Sequence, residues 1–495
     1  MDCICRVEKN NGIIANQFYF TAVILHHEIK SKIMIPFNKK SSILFCFGVI
    51  SLAITFIHGC ASVEPITSGT EGETRSDLAM MMDASSVFNH SITGFMLYDP
   101  AADSTLYTQL DSKFLTPASN TKIYTFFSAL NLLPEQVPGL KYVIRGDSLL
   151  FWGTGDPSFL HPDHADTTVY DFLKNRPETL YYSDAHYEDE YLGPGWSWAD
   201  YNSYYSAEKS PFPIYGNVMR VEVERINQEI IRHTDGRPDV KPTLLSNHII
   251  ERNDNDDERL ILRDRTDNVF QYTPKADTSR FERDIPIHYQ KELIVELLAD
   301  TLGKDVYTID ELPPDDAITL YTSPRDTLLK HMMQPSDNMI AEQLLLMIAS
   351  QLDGPFESRT AIDHAESELF GFLPDEPEWA DGSGLSRYNL FTPRSTVALL
   401  AELDRRYDDE YLFSFFPSGG VSGTISSWYS NPDGGDPFIY AKTGTLRHNH
   451  ALSGYLLTRS GRKLIFSFMH NNYIISVNEI RREMERVLYH IYDSY

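Results

Sequence analysis

The stretch Pro117-Ala118-Ser119-Asn120-Thr121-Lys122, continued by an apolar segment to Leu133, constrains this chain more than any other. Ile123, Phe126, Phe127, Leu130 and Leu133 recur at the spacing of one helical face. The pattern predicts a helix buried along that face and stopped by Pro134. Residues three apart on a helix are neighbours, about 5–6 Å apart at Cβ, so Ser119 and Lys122 share a face. A serine beside a lysine, at the positive end of a helix dipole, has the makings of an activated nucleophile. On its own the pair reads more often as an N-cap and a solvated lysine.

Composition narrows the function classes. At 495 residues the chain exceeds one hydrophobic core, which implies two or more domains. An apolar share of 42% suits a folded globular protein. The formal charge of −27 argues against a nucleic-acid partner, since phosphate binding needs a basic face. The four cysteines stand at 3, 5, 46 and 60, so the body of the chain has neither a disulfide framework nor a cysteine metal site. His161 and His164 have an H-x-x-H spacing, but Pro162 and Asp163 between them predict a loop, with too few ligands for a metal.

Taken in order, residues 1–33 carry scattered charges without pattern. From Met34 the layout changes: Lys39 and Lys40, an uncharged run Ile43–Ile57, then Gly59-Cys60. This is the order of a secretory signal. It resembles a bacterial lipoprotein signal (34–60) in which Cys60 carries lipid, making 1–33 an upstream extension and 61–75 a flexible tether. A helix begins near Asp77, and Gly94–Pro100 pairs with Thr105–Thr108 as a hairpin. Beyond Lys141 short β-like runs appear at Tyr142–Ile144, Ser148–Trp152, Val218–Val223, His248–Ile250 and Leu260–Leu262. They predict a mainly β insertion over 144–314, with Asn253–Glu258 as a solvated acidic turn. Trp196 and Trp198 in Gly195-Trp-Ser-Trp198 read as buried loop anchors. Helical patterns over Arg325–Met333 and Met339–Ala349 flank Ser336-Asp337-Asn338. Phe438–Leu446 reads as a strand, Ala451–Leu457 with Lys463–Met469 as a hairpin, and Val477–Ile491 as an amphipathic helix. An antiparallel sheet covered by a terminal helix follows, in an α/β (α+β) fold.

Ser119-x-x-Lys122, Ser336-Asp337-Asn338 and Lys442-Thr443-Gly444 occur in the order of the three active-site motifs of penicillin-binding proteins and β-lactamases. With Gly153–Pro157, Gly195–Trp198, Asp381–Arg387 and Gly420–Thr424, the chain over 77–495 resembles the class C, low-molecular-mass penicillin-binding proteins. These are the serine D-alanyl-D-alanine carboxypeptidase/endopeptidase family. The 217 positions from Ser119 to Ser336 match a family in which domains are inserted between the first two motifs. The catalytic domain would then be discontinuous, over 76–143 and 315–495.

The resemblance implies an antiparallel sheet with flanking helices and a set of roles. Ser119 attacks the penultimate D-alanine carbonyl, and Lys122, kept partly neutral by burial and by the cation Lys442, takes its proton. Ser336 bridges Lys122 and the leaving nitrogen, while Asn338 holds the substrate's peptide oxygen and Lys122. Lys442 and Thr443 contact the terminal carboxylate, and Gly444 leaves the strand edge open to substrate. Backbone N–H groups of Ser119 and Thr445 form the oxyanion hole. No cofactor or metal is implied. The partners would be peptidoglycan stems ending in D-Ala-D-Ala, β-lactams, and the membrane through a lipid on Cys60, in the periplasm. The alternatives are a serine β-lactamase or esterase on the same fold, a DD-endopeptidase on cross-links, and a catalytically silent wall-binding lipoprotein.

Overall fold

Apolar alternation builds a first hairpin, and the chain then turns into the helix that carries Lys122. A computed structural model describes residues 77–495 apart from 165, 227–228, 232–238, 253–260 and 274–280. The expectations for 1–33, for the signal 34–60 with Cys60, for the tether 61–75 and for the acidic turn lie outside the described residues. Helix α1 (Asp77–Asp83), strands β1 (Ile92–Asp99) and β2 (Ser104–Gln109), α2 (Thr121–Leu132), β3 (Gln136–Arg145) and β4 (Ser148–Gly153) come first. Then follow α3 (Thr168–Lys174), β5 (Thr179–Ser183), β6 (Val218–Ile226), β7 (Glu229–Ile231), β8 (Asp239–Lys241), β9 (Ile249–Glu251), β10 (Ile261–Arg263), β11 (Phe270–Tyr272), β12 (Phe281–Pro286), α4 (Lys291–Leu302), β13 (Val306–Thr308) and β14 (Ile318–Pro324). The last part holds α5 (Arg325–Met333), α6 (Asn338–Ala349), α7 (Ser358–Glu368), α8 (Pro393–Arg406), α9 (Asp409–Phe415), β15 (Ile439–Leu446), β16 (Asn449–Leu457), β17 (Lys463–Asn471) and α10 (Val477–Ser494).

One five-stranded sheet runs β15-β16-β17-β1-β2 and is antiparallel throughout. It joins the first hairpin to the last strands, so both ends of the described chain build one sheet. Helix α10 covers one side, as its periodicity predicts: Ile480, Met484, Val487, Leu488 and Ile491 are buried with Phe95, Phe466 and Phe468. Helices α2, α6 and α8 share a second core, in which Phe126, Phe127, Leu344, Leu345 and Leu400 are fully buried. In α2 every residue from Thr121 to Leu130 is buried, not one face alone. A helix apolar or internally bonded all round belongs at the centre of a core.

Between β3 and β14 the chain forms three more sheets. One is mixed, in the order β13-β5-β4-β3-β14, with β4, β5 and β13 parallel to one another. The others are β12-β6-β7, with β8 on β6, and β10-β11-β9. A third core fills this region, including Phe151, Tyr182, Met219, Ile261 and Leu297. The stretch read as mainly β also holds α3 and α4, which the sequence reading did not predict. Leu293, Ile294, Leu297, Leu298 and Leu302 of α4 are buried at helical spacing.

Candidate active site

Ser119 sits in a 3-10 turn (Ala118–Asn120) immediately before α2, one step earlier than the first α-helical turn. Ala118 adopts a left-handed backbone (φ 49), a strained state for a residue with a Cβ. The turn is fixed from below by Asn120, which is fully buried. Its Nδ2 donates to the Lys442 carbonyl at 2.7 Å, and its Oδ1 accepts from Ser453 Oγ at 2.7 Å. The chain order S-N in the first motif thus ties the nucleophile's turn to β15 and β16.

Lys122 lies three residues on and is fully buried. Its Nζ donates to Ser119 Oγ (3.0 Å), Asn338 Oδ1 (2.6 Å) and the Ser383 carbonyl (2.7 Å). An ammonium has three protons, so these three acceptors use all of them. Burial pushes the Lys122 amine down to about 8, and the carboxylates of Asp381, Glu342 and Asp337 partly oppose that fall. Lys442 is itself held well below its ordinary range by its own burial and then by repulsion from the Lys122 cation.

The S-D-N segment joins α5 to α6. Asp337 caps α6 by accepting from Ile340 N at 2.8 Å. Ser336 has φ 67, which turns the chain sharply before the cap. Asn338 reaches Lys122 through Oδ1 and donates from Nδ2 to the Tyr205 carbonyl at 2.8 Å. Ser336 Oγ accepts from Lys442 Nζ at 2.7 Å. The expected link from Ser336 to Lys122 is replaced by this one, because the protons of Lys122 are engaged elsewhere.

Side chains alternate along β15, and the alternation decides what each motif residue faces. Thr443 and Thr445 line the cleft with Ser119, Ser336 and Asn338. Lys442 and Gly444 point the other way. A Cβ on Gly444 would stand 2.3 Å from the Pro117 carbonyl oxygen and 2.9 Å from Ser119 N. Glycine here therefore admits the nucleophile's turn against the strand, whereas the expectation was an edge left open to substrate. Lys442 likewise runs beneath the strand, fully buried, to Ser336 and to the Thr443 carbonyl at 2.9 Å. The cleft side falls to Thr443, whose Oγ1 is 2.6 Å from Thr424 Oγ1.

Glu342 is a site residue outside every motif, whereas Thr424 and Ser383 lie in the Gly420–Thr424 and Asp381–Arg387 stretches, for which no role was expected. Ser383 belongs to the glycine-rich loop Asp381–Asn389, and the deeply buried Glu342 accepts from Ser383 N at 2.8 Å. Gly384 (φ 82) in this loop passes so close to Ala118 that a Cβ would meet its carbonyl oxygen. Asp381 accepts from Gly384 N (2.8 Å), Asn389 Nδ2 (2.7 Å) and Trp196 Nε1 (2.8 Å). Trp196 thus anchors the loop, though half-buried rather than buried. Trp198 is not: it is 73% exposed, with the Arg265 guanidinium over its ring. The cleft as a whole encloses about 1560 Å³.

The family model described as D-Ala-D-Ala carboxypeptidase 3 (S13) family matches residues 75–490. The chain is 33% identical over 161 residues to the D-alanyl-D-alanine carboxypeptidase DacB of Haemophilus influenzae, covering 31% of this chain and 33% of that protein. A Mycolicibacterium smegmatis carboxypeptidase DacB gives 32% over 151 residues, so the alignments span a third of the length of each of these two relatives. The D-alanyl-D-alanine carboxypeptidase of Actinomadura sp. is 24% identical over 85% of both chains. Among solved structures, penicillin binding protein 4 (dacB) of Haemophilus influenzae has a TM-score of 0.67 at 19% identity, over 85% of this chain and 100% of that one. That likeness establishes the penicillin-binding fold.

Proposed function

The chain belongs to the D-Ala-D-Ala carboxypeptidase 3 (S13) family, and from that premise we propose that it is a serine-type D-Ala-D-Ala carboxypeptidase/DD-endopeptidase of peptidoglycan, working through an acyl-enzyme on Ser119. The observation that carries this reading is the buried Lys122 amine 3.0 Å from the Oγ of Ser119, which lines a cleft with Ser336, Asn338 and Thr443. A structure of the Haemophilus influenzae relative holds a β-lactam, which supports β-lactam inhibition of this chain too.

In the reaction, neutral Lys122 takes the Ser119 proton as Oγ adds to the carbonyl of the penultimate D-alanine. The oxyanion is received by the backbone N–H groups of Ser119 and Thr445. The C–N bond then breaks, the proton passes to the leaving nitrogen beside Ser336, and the terminal D-alanine departs. Water adds to the ester, Lys122 again holding the proton in transit, and the shortened stem leaves with Ser119 regenerated. Asn338 orients Lys122 and the substrate's peptide oxygen. Thr443, with Thr424 at its side, meets the terminal carboxylate, and Lys442 fixes Ser336 from behind. No cofactor takes part. Lipid on Cys60 would hold the enzyme at the periplasmic membrane, with 61–75 as its tether and 144–314 as a domain inserted into the catalytic one.

Labelled penicillin tests the proposal. It should mark the wild-type protein on the peptide that contains Ser119, and purified muropeptides should lose D-alanine by mass spectrometry. Labelling that persists in Ser119→Ala would sink the assignment.

A further inference from the structure

One buried carboxylate near the site has no part in the mechanism above. Glu342 lies one turn after Asn338 on α6, so the two share a helix face. Asn338 reaches Lys122 directly. Glu342 reaches the same amine through the Asp381–Asn389 loop. Its Oε2 accepts from Gly382 N at 3.1 Å and its Oε1 from Ser383 N at 2.8 Å. The Ser383 carbonyl, on the far side of that residue, accepts from Lys122 Nζ at 2.7 Å. Thr125 Oγ1, on the helix that carries Lys122, donates to the Gly382 carbonyl at 2.7 Å. Two consecutive N–H groups need two acceptor oxygens. A carboxylate has both, whereas an amide side chain has one and would turn an N–H toward the other.

We propose that Glu342 is a positioning residue for Lys122: it anchors the Gly382–Ser383 peptide groups so that the Ser383 carbonyl holds the amine against Ser119, and its charge favours the ammonium form. This rests on Lys122 acting as the base for Ser119. Asp381 from the loop and Lys209 also face Glu342, and Asp381, Asp337 and Lys442 face Lys122. Burial, and then Asp381, push the Glu342 carboxyl up to about 7, against Lys209 and the two loop N–H groups. Lys209 and the two loop N–H groups favour its anion. A buried carboxylate there would only hinder a base unless its placement of the loop mattered more. The arrangement trades some proton release for a fixed amine.

The test is the acylation rate by labelled penicillin as a function of pH. In the wild type the rate rises as pH passes through the Lys122 titration. Glu342→Gln removes the anion, so the neutral amine persists to lower pH, and the acid limb should move down by about one unit. The rate on its plateau should fall, because one loop N–H loses its acceptor. Glu342→Asp keeps the charge but is one methylene short, so it should slow acylation and leave the limb in place. A purely structural role would change the plateau in both variants and the limb in neither, so an unmoved limb in Glu342→Gln overturns the proposal. If Glu342→Gln does not fold by circular dichroism, Glu342→Ala takes its place with the same reading: a limb moved down supports the proposal and an unmoved limb overturns it, as does a limb that moves in Glu342→Asp. Wild-type protein that is not labelled on Ser119, or that shows no acid limb, instead overturns the reading of Lys122 as base.

Discussion

The sheet β15-β16-β17-β1-β2 and the sheet β13-β5-β4-β3-β14 have five strands each, yet they bury different chemistry. The second packs Leu140, Leu149, Phe151, Leu180 and Tyr182 into an apolar core. The first, on its side toward Ser119, buries Lys442, Ser453 and Ser467, linked by Ser453 Oγ to Ser467 Oγ at 2.9 Å and on to Asn120. Apolar contacts are non-directional and scale with area, so one side chain can replace another of similar volume. Buried polar groups must each find a partner at a set distance, and a missing partner costs about 1–3 kcal/mol. The apolar region can therefore vary while it folds. The polar region ties distant segments to one geometry and can hold a reacting serine and lysine within hydrogen-bond reach.

Substitutions can break this contrast. The largest expected effect is on stability in the apolar region. Leu297→Ala on α4, a side chain 1% exposed, should destabilise by about 2–5 kcal/mol in denaturant unfolding. Acylation by the molecules that remain folded should be unchanged, and a slower rate would mean that the two regions are not independent. Next comes Lys442→Met. It removes a charge-capable contact to Ser336 worth about 1.5–3 kcal/mol, which is roughly 10- to 150-fold in acylation rate. The same change removes a neighbouring amine that repels the Lys122 ammonium, so the acid limb should move upward from about 8. An unmoved limb would mean that Lys442 carries no charge where Lys122 titrates. The smallest effects separate two tryptophans two residues apart. Trp196→Phe loses the bond to Asp381 and should cost about 1.5 kcal/mol, while the exposed Trp198→Ala should stay within about 0.5 kcal/mol in thermal melts.

Most of the elements around the site are legible from local pattern. The helical spacing of Ile123 to Leu133, the two helices around Ser336, the strand at Lys442 and the amphipathic stretch from Val477 each appear as elements of the expected type. These signals are local because helix and strand periods are properties of the backbone. Helix α4 lies in a stretch expected to be mainly β, although Leu293, Ile294, Leu297, Leu298 and Leu302 carry helical spacing. The site was legible only in part. Motif residues announce themselves by spacing, whereas Glu342 and Ser383 look, respectively, like a helix-surface acid and a loop serine until the fold buries them.

The sequence alone determined the order of the three motifs, the types of group they offer and the elements that carry them, since each depends on residues within a few turns of one another. The tertiary structure alone decided which groups meet. It turned Gly444 toward Pro117 and Thr443 toward the cleft, a choice that a one-residue change of register would reverse. It gave Ser336 to Lys442 and set the Ser383 carbonyl, 261 positions away in the chain, on Lys122. Those pairings follow from burial: once distant segments exclude water from the amines of Lys122 and Lys442, every proton on them must find the nearest acceptor the packing provides.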